Sequence, residues 1–335
     1  MPEAPPAMLA PARSLAARLW RPALGVAVLA GIIFALHRAL AKIGLADVLA
    51  AIAATPRGQL LHAALFTALS LLIMVVYDVP GVLFGRRLPE FPRLSPGRIA
   101  LASGCAYALS HVLGAPALTA AAIRVRFYAQ WRVPPAGIGR IVALSGVMFT
   151  LGACVLLGGI LLLRPADVPL FGPAVPADAL RGLGALLWGA AAAYVAAAGA
   201  KTPLTILRRP IPRPGPMLAV AQILLSGADT GCAAAILYTF LPTTPGLSYA
   251  HVLGIYLAAF AGGLICALPG GVGVFDSLLL LGLAGAVDAA PALAAILLFR
   301  LVYYVFPALL AAAAFCLHEL LTGLRGKDSE SGPIK

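Results

Sequence analysis

Hydrophobic residues in this chain come in long unbroken runs, not in the alternating or one-sided patterns of soluble elements. They cover approximately Pro22 to Leu40, Gln59 to Phe84, Ile99 to Ile123, Ile138 to Leu163, Leu180 to Ala200, Met217 to Leu241, Ala250 to Leu268, Ser277 to Val287 and Pro291 to Cys316. Most approach the roughly 20 residues that a helix needs to cross the ~30 Å hydrocarbon core of a bilayer. Lipid offers backbone N–H and C=O groups no partner, so such runs close their hydrogen bonds internally, as helices. The pattern predicts an all-α, polytopic helical membrane protein. The first run has signal-peptide ingredients, with Arg13, Arg18 and Arg21 before it and Ala39-Leu40-Ala41 near its end. Its length favours an uncleaved first helix.

Two runs carry breaks. Gly114-Ala115-Pro116 interrupts the third, and Pro269, Gly270, Gly271 and Gly273 fall together after the seventh; both residue types disrupt helices. Basic residues beside short loops stay cytoplasmic. If Ile99 to Ile123 crossed fully, Arg86, Arg87, Arg93 and Arg98 would lie opposite Arg124, Arg126, Arg132 and Arg140. A re-entrant hairpin puts both clusters inside. A second hairpin over Ala250 to Val287, entering from outside, returns the tail to the cytoplasm. This arrangement places 18 of the 24 Lys and Arg residues inside, with Lys42, Arg57, Arg164 and Arg181 outside and Arg38 and Arg300 within spans. Residues 42–58, 164–180 and 242–249 are then periplasmic and 85–98, 124–137 and 201–215 cytoplasmic. The chain divides into a cytoplasmic segment 1–21, a membrane domain 22–317 and a cytoplasmic tail 318–335. Each half of the domain, about 22–163 and 180–317, reads as span, span, hairpin, span in opposite orientations. Such inverted repeats are an architecture of secondary transporters, although the symmetry here is one of topology and not of residue-by-residue repetition.

Composition narrows the class further. With 61% hydrophobic residues, 11% charged residues and a mean hydropathy of +0.98, the chain lies far from soluble domains, where charged residues make up about 25%. A formal charge of +12 held in short loops is a topology signal, and it points to anionic lipid headgroups, not nucleic acid. Cys105, Cys154, Cys232, Cys266 and Cys316 sit in apolar runs without disulfide or zinc spacing, as packing residues do. No cofactor or metal is expected. Gly270-Gly271-Val272-Gly273 lacks the strand and lysine of a nucleotide loop, but as a tight turn it could present N–H groups to a phosphate.

Ionisable groups at membrane depth usually face a cavity or a partner. Asp78, Asp229, Asp276, His111 and Arg300 are of this kind, with Asp229 deepest in its run. The structural alternative is an ion pair between one aspartate and Arg300. Ser110 and His111 are adjacent, but helix geometry points them about 100° apart and no GxSxG elbow is present, which disfavours a hydrolase; a hydrogen-bonded packing histidine is the alternative. Arg124-Val125-Arg126-Phe127-Tyr128 with Gln130-Trp131-Arg132 fits interface anchoring and bidentate phosphate binding equally.

Several of these patterns together resemble the transmembrane domain of the lysylphosphatidylglycerol synthase/flippase family, also called multiple peptide resistance factor. The resembling stretches are Tyr77-Asp78, Ser110-His111-Val112-Leu113-Gly114, Ala122-Ile123-Arg124-Val125-Arg126-Phe127-Tyr128 with Trp131, and Pro269 through Asp276. Val112 departs from the asparagine expected there, Thr119-Ala120-Ala121-Ala122 replaces a glycine-rich stretch, and Asp276 stands where glutamate is common. The resemblance implies a phospholipid translocase that moves phosphatidylglycerol-type lipid, aminoacylated forms included, between leaflets of the inner membrane. The family's soluble synthase domain has no counterpart after the last run, so aminoacyl transfer is not expected, and a separate lipid synthase or a second copy of the chain becomes a candidate partner. A membrane enzyme acting on a lipid-linked substrate and a non-transporting scaffold are the other classes. Candidate substrate-binding residues are Tyr77, Asp78, Ser110, His111, Arg124, Arg126, Asp229, Gly270, Gly271, Gly273, Asp276 and Arg300. In the expected mechanism Arg124 and Arg126 attract the lipid phosphate, while Asp78, Asp229 and Asp276 meet a cationic group on the headgroup.

Overall fold

A computed structural model describes residues 53, 55–113, 115–165, 168, 175–200, 204–206, 209–211, 213–266 and 274–328. The first predicted span, the turn with Gly270, Gly271 and Gly273, and residues 329–335 lie outside the described residues. The helices are α1 (Arg57–Val76), α2 (Val79–Gly85), α3 (Pro96–Leu113), α4 (Pro116–Gln130), α5 (Pro135–Leu163), α6 (Ala177–Gly199), α7 (Pro216–Phe240), α8 (Tyr249–Cys266), α9 (Val274–Leu283), α10 (Ala289–Phe299) and α11 (Phe306–Asp328). A π-helical stretch, Arg300–Val305, joins α10 to α11. Two three-residue strands, Leu204–Ile206 and Arg209–Ile211, pair antiparallel before α7. The protein is an all-α polytopic membrane protein. Five segments are long and apolar enough to cross a bilayer: Arg57–Gly85, Pro135–Leu163, Ala177–Gly199, Pro216–Phe240 and Ala289–Thr322.

Prolines open several helices. Pro80, Pro116, Pro135 and Pro216 occupy the first or second position of α2, α4, α5 and α7, where their missing N–H has no intrahelical acceptor to lose. Burial within the spans is inverted relative to soluble helices. On α1, Leu61, Leu65, Leu69, Leu72 and Val76 form an exposed stripe, while Ala63, Thr67, Ser70 and Met74 face inward. On α7, Met217, Val220 and Leu224 are exposed, while Gln222, Ser226, Asp229 and Thr230 are buried. Lipid takes up the leucines at no cost and the interior collects the polar groups.

Small residues let the spans approach closely. A Cβ added at Gly152 of α5 would stand 2.7 Å from the backbone nitrogen of Gly227 in α7, so glycine is required at that crossing. Two apolar clusters fill the interior. One centres on α7, α8, α10 and the π-helical stretch, with Ile236, Tyr256, Phe299 and Tyr303; the other gathers Leu109, Phe127, Tyr128, Ile141 and Phe315 from α3, α4, α5 and α11.

The break expected at Gly114-Ala115-Pro116 falls between the end of α3 and the start of α4, with Gly114 itself outside the described residues. Ala115 adopts a left-handed conformation (φ 43°) and α3 and α4 pack against each other around it. The legs, however, are longer than the apolar run. α4 continues through Arg124 and Arg126 to Gln130, so both arginines sit on a helix and not in a loop 124–137. Nothing between Ile123 and Gln130 breaks a helix; the chain turns only at Arg132 (φ 59°), ahead of Pro134 and Pro135. At the other end α11 runs past residue 317 to Asp328, with Glu319 buried. α8 and α9 also pack together, and α9 opens at Val274, three residues before the apolar run suggested.

Candidate functional site

The first long span is broken in its C-terminal third. α1 ends at Val76, and Tyr77 and Asp78 form a turn before α2. Asp78 is 0% exposed. Its Oδ1 accepts hydrogen bonds from Arg124 Nε (2.8 Å) and Ser145 Oγ (2.9 Å), and its Oδ2 accepts one from Tyr128 Oη (3.0 Å). Its backbone N–H donates to Ser103 Oγ at 3.1 Å, and that hydroxyl donates to the Met74 carbonyl at 2.6 Å. Asp78 thus fastens the broken span to α4 and α5 through its carboxylate and to α3 through its backbone N–H.

Asp229, fourteenth residue of α7 by the bounds Pro216–Phe240, is 1% exposed. Its Oδ1 accepts from Ser70 Oγ of α1 at 2.5 Å. Its Oδ2 accepts from Tyr107 Oη of α3 and, at 3.4 Å, from Tyr303 Oη of the π-helical stretch. Among the described residues no Lys, Arg or His makes an ion pair with it. Nearby, Tyr77 stacks obliquely on Tyr107 with ring centroids 5.0 Å apart, and the buried hydroxyls of Tyr77 and Ser226 lack hydrogen-bond partners.

His111 carries the cluster onward. Its Nδ1 lies 2.8 Å from the Tyr107 carbonyl, and its ring lies 4.4 Å from that of Tyr107 and 5.8 Å from that of Tyr304, centroid to centroid. Ser110 donates to the same carbonyl at 2.8 Å, so the pair is not arranged as nucleophile and base. Beyond Tyr304 comes Arg300, whose guanidinium lies 5.5 Å from the Tyr304 ring and 5.7 Å from that of Phe275. Arg300 Nε donates to Asp276 Oδ1 at 2.7 Å. Arg300 is therefore the partner of Asp276 and not of Asp229. A π-helical insertion at this point is a feature found at functional sites, because it redirects side chains that an α-helix would turn away.

Arg126 lies elsewhere. Its Nη2 and Nε bond Glu319 of α11 at 2.6 and 3.2 Å, Gln130 donates to the same carboxylate at 2.9 Å, and His318 Nε2 stands 3.0 Å from Gln130 Oε1. The structure thus brings Tyr77, Ser110, His111, Asp229, Asp276 and Arg300 into one chain of contacts. It joins Asp78 to Arg124 and holds Arg126 apart. Gly270, Gly271 and Gly273 are outside the described residues. Among the described residues no three His, Cys, Asp or Glu side chains gather as a metal site would need.

Sequence reasoning missed Ser70, Tyr107 and Tyr303, which hold Asp229, and Ser145 and Tyr128, which hold Asp78. Ser70, Tyr107, Tyr303 and Ser145 gave a weak signal, being single hydroxyls inside apolar runs, and Tyr128 stood in the Arg124 to Trp131 stretch without a role. Glu319 was read as part of the tail because it follows the last run.

Comparison with known proteins agrees with this architecture. No protein-family model matches the chain. It is 28% identical over 312 residues to the uncharacterized protein slr0712 of Synechocystis, covering 92% of this chain and 95% of that one. It is 30% identical over 200 residues to the inner membrane protein YbhN of Escherichia coli, covering 59% of this chain and 62% of YbhN. The chain is a relative of bacterial membrane proteins. It also shares 36% identity over 104 residues with the phosphatidylglycerol lysyltransferase of Staphylococcus haemolyticus, which is 30% of this chain and 12% of that protein. The relation to the lysyltransferases is thus partial, in line with the family resemblance of the motifs.

Proposed function

We propose that this protein is a phospholipid translocase of a bacterial inner membrane, moving phosphatidylglycerol-type lipid whose headgroup carries an amine, as an aminoacylated headgroup does. The observation that carries this reading is Asp229: a carboxylate buried in the middle of a span, gripped by three hydroxyls, with no cation paired to it among the described residues. An isolated charge at that depth is costly to bury. An ammonium on the cargo relieves that cost when it docks, whereas an unmodified phosphatidylglycerol headgroup brings no cation. The partial similarity to proteins named phosphatidylglycerol lysyltransferase supports the lipid class.

For the phosphate we assign Arg300 in place of Arg124 and Arg126. The Arg124 and Asp78 side chains are only 6% and 0% exposed, and Arg126 is held through two nitrogens by Glu319 outside the His111 cluster, whereas Arg300 and Asp276 are 11% and 21% exposed and adjoin His111 through Tyr304. Helix lengths support re-entrant hairpins. By a rise of ~1.5 Å per residue, the 15 residues of α4 and the 10 of α9 reach roughly 22 and 15 Å, short of the ~30 Å core.

The test is reconstitution of the purified protein in liposomes containing labelled aminoacyl-phosphatidylglycerol, phosphatidylglycerol or a neutral lipid, scoring exchange between leaflets. The amine-bearing lipid should exchange fastest, and Asp229→Asn should reduce that exchange while leaving the amount of folded protein unchanged. Absence of exchange for every lipid would sink the translocase reading.

A further inference from the structure

We propose that Asp229 is also a proton-exchange site, and that a proton and an organic ammonium occupy its carboxylate alternately. This inference deepens the translocase reading and rests on it for the identity of the ammonium. Three observations lead to it. Asp78, Asp276 and Glu319 each have an arginine partner, and Asp229 has none among the described residues. Neutrality at Asp229 must therefore come from something that arrives and leaves. Second, both carboxylate oxygens are met by hydroxyl groups from three different elements. Hydroxyls rotate and can donate to a carboxylate or accept from a carboxylic acid, so the same cage fits either protonation state. Third, the Tyr77 and Ser226 hydroxyls are buried beside this cage and neither bonds the Asp229 carboxylate, so two further hydroxyls adjoin the site.

Among the described residues no fixed cation pairs with Asp229. α1 presents Ser70, the turn after it presents Tyr77, and α3 presents Tyr107 with His111 behind it. On α7 itself Cys232 stands one turn on, packed with Met148 of α5. The π-helical stretch presents Tyr303, whose ring stacks on Phe299 at 5.3 Å, and α8 presents Tyr256, whose ring meets Phe299 edge-on at 5.9 Å. Arg300 is paired with Asp276 beyond Tyr304. The exchange balances simply. As the ammonium docks, the O–H bond of the protonated Asp229 breaks, the electron pair stays on the carboxylate, and the proton leaves to the aqueous phase to which the site is then open. Release of the ammonium is followed by uptake of one proton from water. Because one site cannot hold both, lipid moving one way and protons moving the other become linked.

Infrared difference spectroscopy on the purified protein tests this without relying on transport. The expected result is a carboxylic-acid carbonyl band that appears on acidification, is lost in Asp229→Asn, and shrinks when vesicles of an amine-bearing lipid are added but not when phosphatidylglycerol vesicles are. Tyr107→Phe and Ser70→Ala keep the carboxyl group and should shift the band to higher frequency, since each removes one hydrogen bond, so the assignment survives a poorly folding Asp229→Asn. Absence of a titrating band in the unaltered protein, a band retained in Asp229→Asn, or a band insensitive to the amine would each overturn the inference. A band that titrates and responds to amine in a protein that exchanges no lipid would uphold the proton site and sink only the translocase reading.

Discussion

Asp78 and Asp229 lie in neighbouring spans at nearly equal burial, and they are held by opposite means. Asp78 has a fixed cation, Arg124, and accepts further hydrogen bonds from Tyr128 and Ser145. Asp229 has hydroxyls only. A buried pair that brings its own counter-ion is electrically closed: it ties α2, α3, α4 and α5 together and has no need of a ligand. A buried carboxylate without a cation leaves a charge for something mobile to meet. The contrast separates a structural knot from a site, although both residues look alike in sequence as single aspartates in apolar runs.

Arg124→Gln should give the largest effect. It strands the Asp78 carboxylate, and breaking one partner of a buried pair costs about 3–5 kcal/mol. The expected outcome is a collapse of folded yield and thermal stability in detergent, with most of the loss recovered in Asp78→Asn/Arg124→Gln. If the single and double variants were equally unstable, Asp78 would not depend on its cation and the contrast would fail.

How much of this could be read from the sequence follows the same division. Long apolar runs specify spans directly, because bilayer thickness dictates length, and the break at Gly114-Ala115-Pro116 was visible because glycine and proline act locally. Helix ends beyond the runs were not visible: Arg124 and Arg126 looked like loop residues although nothing there stops a helix. Which cation each aspartate takes was beyond reach, since Asp78 and Arg124 are 46 residues apart and Asp229 and Ser70 are 159 apart. Such partners are set by helix packing. The π-helical stretch that aims Tyr303 at Asp229 has no sequence signature comparable to a proline or glycine.

Gly152→Val should come next. Its Cβ would meet the backbone of α7 at Gly227, two residues before Asp229, and overpacking a tight crossing costs about 1–3 kcal/mol. Thermal stability should fall by less than in Arg124→Gln. Because the wedge acts on α7, the carboxyl band of Asp229 should shift while the Asp78 pair stays intact. An unchanged band would mean that the α5–α7 contact does not position the site.

Ser70→Ala removes one of the three hydroxyls and should cost about 0.6 kcal/mol, the typical worth of an interhelical hydrogen bond in a membrane. Its use is to divide the two aspartates. The same hydroxyl deletion at Ser145→Ala, beside Asp78, should cost a similar amount and leave lipid exchange unchanged, while Ser70→Ala should slow exchange. Equal effects of the two on exchange would place Asp78 in the transport path.

Asp229→Asn should disturb stability least, by less than the roughly 0.6 kcal/mol of a lost interhelical hydrogen bond. Asparagine keeps the size and one carbonyl acceptor, and its amide donates where the second oxygen accepted. Ser70, Tyr107 and Tyr303 can turn their hydroxyls to accommodate the change, because each can accept as well as donate. Against the altered hydrogen bonds stands the removal of a buried charge with no paired cation, a change often neutral or stabilising. Thermal unfolding in detergent should therefore remain close to that of the unaltered protein while exchange of amine-bearing lipid falls. A loss of several kcal/mol would mean that the negative charge itself supports the fold, and Asp229 would join Asp78 as a structural residue.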